Sequence, residues 1–225
     1  MISLALGLLV IAQQPVRQTR TIEGWTVNIR IELLQKDKEL TDKAIRFMTD
    51  QLRQIKKVVP KSAVIELQKV QLWMSPEYPG IVPRAEYHPG AQWLRDNGRD
   101  PAMVHGIEFT NIRIFEAEVK RMPIFVLHEL AHAYHDQVLG FDNQQIQSAY
   151  DHAKTSGKYD HVERNDGKFL KAYAMTNSQE YFAEGTEAYF GKNDFFPFER
   201  RDLKSIDPEL FGIMEKVWLN PKSKN

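Results

Sequence analysis

The chain of 225 residues contains no cysteine. Disulfides, zinc–thiolate centres and thiol nucleophiles are therefore excluded, and any metal must be held by histidine and carboxylate. It has no excess of either charge, since 30 Lys and Arg balance 30 Asp and Glu. No global basic field points to nucleic acid or to an anionic membrane, and no nucleic-acid partner is expected. The opening apolar run, residues 1–12, is too short to span a bilayer, so stable membrane insertion is not expected either. That run fits the apolar core of a secretory signal ending at Val10-Ile11-Ala12, which predicts a secreted or extracytoplasmic protein. The mature chain is then expected to begin near Gln13, with residues 13–225 forming a single domain. There is no internal repeat and no low-complexity tract. What the chain has in ordinary measure is core material, 42% hydrophobic residues, enough for one substantial domain.

Periodicity places the elements. Trp25, Val27, Ile29, Ile31 and Leu33 alternate over residues 24–33, which predicts a strand after a polar lead-in at residues 13–20. A helix follows, with Thr41 as its cap, an apolar stripe through Ala44, Met48, Leu52 and Ile55, and Pro60 as its end. Residues 63–74 read as a second strand with a bulge, residues 85–88 and 106–110 as short strands. A long helix is expected over residues 115–137, kinked or restarted at Pro123 and stopped by Gly140. Residues 143–155 suit another helix. Asn165-Asp166-Gly167 predicts a hairpin joining residues 159–164 to 168–174. Helices from residue 177 or 178 to 190, and from Asp207-Pro208 onward, complete an α+β chain: a small N-terminal sheet, then helices.

The helix over residues 115–137 carries His128-Glu129-Leu130-Ala131-His132. Four residues are about one helical turn, so both imidazoles project from one face and can meet one metal ion. Glu129 points about 100° away, where it can reach a metal-bound water as a general base. The flanks, Ile124 to Leu127, are apolar. Histidine and glutamate in such a helix are costly to bury without partners, and a metal supplies them. A catalytic zinc site needs a third protein ligand. A third histidine six residues on is ruled out, because that position is Val138; His135 lies two turns from His128 and reads as a pocket-lining or internally satisfied residue. The remaining source is the helix that follows residue 177, where Glu180 and Glu184 lie one turn apart on one face.

These two motifs together, His128-Glu129-x-x-His132 and Tyr173 through Glu180-Tyr-Phe-Ala-Glu184, resemble the catalytic domain of anthrax lethal factor and its relatives. Those are zinc metallopeptidases with a glutamate as third ligand, the gluzincins. The resemblance spans residues 122–190 and does not extend to the toxin's accessory domains. It implies a zincin-like fold with Zn2+ held by His128, His132 and Glu180, and Glu129 activating the water. It also implies that Tyr173 faces the substrate carbonyl and that Glu184 orients a ligand histidine, His128 by its spacing. A protein or peptide substrate is then expected, laid along the strand at residues 106–110. Two rivals remain: a zinc-dependent amidase of cell-wall peptides, and a non-catalytic zinc-binding domain, for which an intact Glu129 has no use.

Overall fold

Trp25, Val27 and Ile29 alternate along β2 (Trp25–Arg30), and all three are fully buried, as a period-two stripe against a core requires. The computed structural model describes residues 15–219; the run at residues 1–12 lies outside the described residues. β1 (Arg17–Ile22) pairs antiparallel with β2 through Glu23-Gly24, both at positive φ, the twist that a two-residue hairpin favours. The expected lead-in is therefore partly strand. Its side chains are polar because β1 is an edge with most positions wet.

β2 stops at Arg30 rather than residue 33, because α1 (Ile31–Lys36) begins there. α2 (Lys38–Val58) buries Ala44, Met48, Leu52 and Ile55 along one stripe. Thr41 lies inside α2 and does not cap it; its hydroxyl donates to the carbonyls of Leu33 and Asp37. Pro60 ends α2 and opens α3 (Lys61–Leu67), where a strand was expected. Ala63, Val64 and Leu67 are buried there at helical spacing, and only Leu72–Met74 (β3) is strand.

β4 (Ala85–Tyr87), α4 (Ala91–Asp96) and β5 (Ile107–Phe109) follow. The sheet runs β1-β2-β3-β5-β4, with β2, β3 and β5 parallel and the two outer strands antiparallel. β5 is thus interior and β4 is the edge, which corrects the expectation that residues 106–110 border a cleft. The helix expected over residues 115–137 is two helices, α5 (Phe115–Arg121) and α6 (Phe125–Tyr134), separated at Pro123. A wider π-type turn over His135–Leu139 extends α6 to Gly140, whose φ of 84° ends it.

α6 is the centre of the molecule. It packs on β4 and β5, on α2 and α3, and on α8 (Ser178–Phe190). Gln51 of α2 accepts the Val126 backbone N–H at 3.0 Å and so satisfies one orphan donor of the first turn of α6. Between α6 and α8 lie α7 (Gln144–Ser156) and a short hairpin, β6 (Val162–Glu163) with β7 (Phe169–Leu170). α9 (Arg200–Ile206) and α10 (Pro208–Leu219) close the back. Trp218 of α10 stacks on Tyr134 with ring centroids 4.4 Å apart. A Cβ at Gly185 would sit 2.7 Å from Leu210, so glycine there sets how closely α8 and α10 pack. Among the described residues, no helix is long and apolar enough to cross a membrane. The class is α+β, sheet first and helices after.

Candidate metal centre

His128 and His132 project from the same face of α6, with their Nε2 atoms 3.1 Å apart. Glu180, in the first turn of α8, brings Oε2 to 3.1 Å from His128 Nε2 and 3.3 Å from His132 Nε2. Asn177 caps α8 by accepting the Glu180 backbone N–H at 2.8 Å. The Glu180 carboxylate does not return to the cap and instead faces the two histidines. Four donors about 2.05 Å from a tetrahedral zinc ion lie about 3.3 Å from one another. The three side chains are positioned to hold a metal ion.

The second nitrogen of His128 decides its tautomer. Nδ1 donates to Glu187 Oε1 at 2.7 Å, and both groups are buried. In a neutral ring Nε2 then carries the lone pair and presents it to the centre. The expected partner was Glu184. Glu180, Glu184 and Glu187 all share one face of α8, and the way α8 crosses α6 brings the third of them, not the second, to Nδ1. Glu184 is buried beside it and accepts from Asn193 Nδ2 at 3.0 Å. Burial, then the charge of Glu187, pushes the Glu184 carboxyl up to about 8. Glu187 is raised by burial as well, with its bond to His128 opposing.

The charge balance favours a cation at this spot. Burial opposes charge on His128, yet its bonds to Glu180 and Glu187 hold its pKa well above the usual imidazole range. Glu180 is also penalised by burial and is lowered far below the usual carboxylate range by the two histidines. Either protons or a metal ion can satisfy this set, and the N2O donor chemistry fits zinc.

Glu129 is not among the converging donors. Its Oε2 accepts the backbone N–H of Tyr87 at 3.0 Å. Tyr87 also donates its hydroxyl to Asp136 at 2.6 Å, tying β4 to the turn that extends α6. The donors and Glu129 open into a cleft of about 690 Å³. β4 lines it, together with Tyr173, Arg121, Arg164 and Phe195. Tyr173 sits in a 3-10 turn just before α8, not at the end of a strand, and is half exposed. Its hydroxyl is 3.5 Å from Glu180 Oε1. Burial and then the Glu180 charge raise its phenol.

His135 does not line the cleft. It is fully buried between Phe141 and Phe182, and among the described residues neither ring nitrogen has a hydrogen-bond partner. Burial, helped by the charge of His132, pushes it down to about 4, so it is neutral. Its expected internal satisfaction is therefore absent.

The residues that sequence reasoning missed are Glu187, Tyr87 and the edge position of β4. The i, i+4, i+7 spacing of Glu180, Glu184 and Glu187 was a usable signal for the first. The other two depend on strand order, which no local pattern encodes. Compared with known proteins, the chain matches no family model, no curated protein and no solved structure.

Proposed function

We propose that the protein is a zinc metallopeptidase of zincin-like fold, resembling the lethal factor catalytic domain in its site. The observation that carries this reading is the convergence of His128, His132 and Glu180 beside a glutamate that is held out of the donor set and opens into the same cleft. His128, His132 and Glu180 would hold the ion. Bound zinc would supply Lewis acidity and water whose pKa is brought down to about 7.

The remaining chemistry belongs to the chain's own groups. Glu129 takes the proton from the attacking water and passes it to the leaving amine. The Tyr87 N–H fixes one of its carboxylate oxygens and leaves the other for that water. Glu187 locks the His128 ring through Nδ1. Tyr173 donates its hydroxyl to the developing oxyanion. The substrate is an extended peptide added to the edge of β4. At either end of β4, His88 bonds to Gly106 and Arg84 to Thr110, the residues that flank β5. The alternation of antiparallel pairing then turns the backbone groups of Ala85 and Tyr87 outward. With the Tyr87 N–H engaged by Glu129, the Ala85 N–H and the carbonyls of Ala85 and Tyr87 are the groups left for the peptide. The apolar run at residues 1–12 supports an extracytoplasmic site of action. A peptide library cleaved by zinc-loaded protein, and not by chelated protein or by Glu129→Gln, is the expected result. A zinc-loaded wild type inert on the library contradicts the reading.

A further inference from the structure

Besides Arg84 next to β4, two arginines line the cleft, and they are not equivalent. Both reach one buried carboxylate: Arg121 Nη1 is 3.2 Å and Arg164 Nε 3.4 Å from Asp194 Oδ2. Arg121 is otherwise engaged, with Nη2 and Nε donating to Glu118 at 2.7 and 3.4 Å. Arg164 is not. Among the described residues its terminal nitrogens make no hydrogen bond, and the nearest further carboxylate, that of Asp166, is 3.9 Å from Nη1. Its guanidinium lies over the Phe195 ring, 5.5 Å from the centroid, and its side chain is 27% exposed, enough to be met by a ligand.

The mounting is rigid. Arg164 opens the tight turn of the β6–β7 hairpin, its N–H donating to the Lys168 carbonyl at 2.7 Å. The next residue, Asn165, donates its backbone N–H to the Asp194 carbonyl at 2.8 Å and its side chain to the Arg121 carbonyl at 2.7 Å. Hairpin, Asp194 and Arg121 thus hold one another, which fixes the backbone that carries Arg164, while Asp194 and the Phe195 ring flank its guanidinium. Preorganisation of this kind reduces what binding must spend on ordering.

The charges around it decide what the fork takes. Apart from Glu180 and Glu129 at the metal centre, the cleft's carboxylates are committed: Asp194 to both arginines, Glu118 to Arg121, Glu86 to Arg84 and Arg99, Glu184 to Asn193. Outside the metal centre and Glu129, no lining carboxylate is left to select a basic side chain, whereas a guanidinium whose terminal nitrogens make no hydrogen bond among the described residues selects a planar anion.

Resting on the peptidase reading, we infer that Arg164 is a specificity-determining residue and binds a carboxylate of the substrate within the cleft that holds the metal centre. That carboxylate is supplied either by an aspartate or glutamate side chain or by a free peptide C-terminus. The test uses matched peptides that differ only in Glu against Gln, Asp against Asn, or C-terminal acid against amide. The acid member of a pair is expected to have kcat/KM at least about tenfold higher, the usual worth of a hydrogen-bonded charge. The position of the effect identifies the source, side chain or chain end. In Arg164→Gln the acid-to-amide ratio falls to about one. Arg164→Lys, which keeps the charge and loses the fork, gives an intermediate ratio and serves if Arg164→Gln does not fold. Equal rates for every pair in the wild type overturn the inference while leaving the peptidase reading intact. If nothing is cleaved, the peptidase reading fails, and the Arg164 claim is decided by binding. Fluorescence anisotropy with Glu129→Gln must then show the same acid preference, lost in Glu129→Gln/Arg164→Gln. Equal affinities overturn the claim.

Discussion

Replacing Glu187 separates the geometry of this site from the expectation its sequence invites. In Glu187→Gln the amide oxygen can still accept from His128 Nδ1, at a site where the wild-type bond is 2.7 Å and both partners are buried. What is lost is the charge on the acceptor, and charge-assisted bonds are roughly twice as strong as neutral ones. Losing an outer carboxylate behind a ligand histidine typically lowers metal affinity about 10- to 100-fold, or about 1.4 to 2.7 kcal/mol. Glu187→Gln is expected near the lower figure. Glu187→Ala, which leaves a buried N–H without a partner, is expected near the upper one. Glu184→Gln should stay within about threefold of wild type, because Glu184 touches Asn193 and not a ligand nitrogen. Zinc affinity is measured by competition with a chelator of known strength, on protein checked for folding by circular dichroism. A Glu187→Gln protein with wild-type affinity beside a weakened Glu184→Gln protein would refute the reasoning and return the supporting role to Glu184.

Three further outcomes follow from named contacts. His135 is buried with its pKa pushed down to about 4, so below about pH 6.5 the unfolded chain binds a proton that the folded chain refuses, and stability falls as pH drops from about 6.5 to about 4. His135→Leu removes that loss, worth at most about 3 kcal/mol, so Tm should rise and the gain should be larger at pH 4.5 than at pH 7.5; a gain independent of pH contradicts the titration. Ala85→Pro deletes an outward N–H on an edge strand, where proline is tolerated, and should raise KM about fivefold with kcat little changed; an unchanged KM in folded protein moves the substrate off β4. Tyr173→Phe should lower kcat about 100-fold with zinc still bound; kcat within threefold of wild type removes Tyr173 from the oxyanion role.

Much of the centre was legible because its signals are local. His128 and His132 follow from helical spacing, and so does the face shared by Glu180 and Glu184, but the choice of Glu180 rests on the family resemblance. The hairpin turn at Asn165-Asp166-Gly167 and the break at Pro123 follow from residue type in the same way. What was not legible is set by how elements meet. Glu184 and Glu187 look alike along α8, and the crossing of α8 over α6 chooses between them. β4 and β5 look alike as three-residue strands, and the sheet order makes β4 the edge. Residues 63–74 read as strand because Ile65 and Leu67, then Val70, Leu72 and Met74, alternate, whereas the buried set in α3 is Ala63, Val64 and Leu67, at helical spacing. β1 carries no apolar alternation, because an edge hairpin strand can be held by backbone pairing alone.

The measurement that bears most directly on the centre is a zinc titration of three proteins: wild type, Glu129→Gln and Glu180→Ala. The geometry predicts one zinc per chain in wild type and in Glu129→Gln, since Glu129 lies outside the donor set. In Glu180→Ala it predicts little or no zinc retained at stoichiometric metal, since a direct ligand is gone. Wild type that fails to bind one zinc per chain, or Glu180→Ala that binds zinc as tightly as wild type, contradicts the assignment of His128, His132 and Glu180 as a zinc centre.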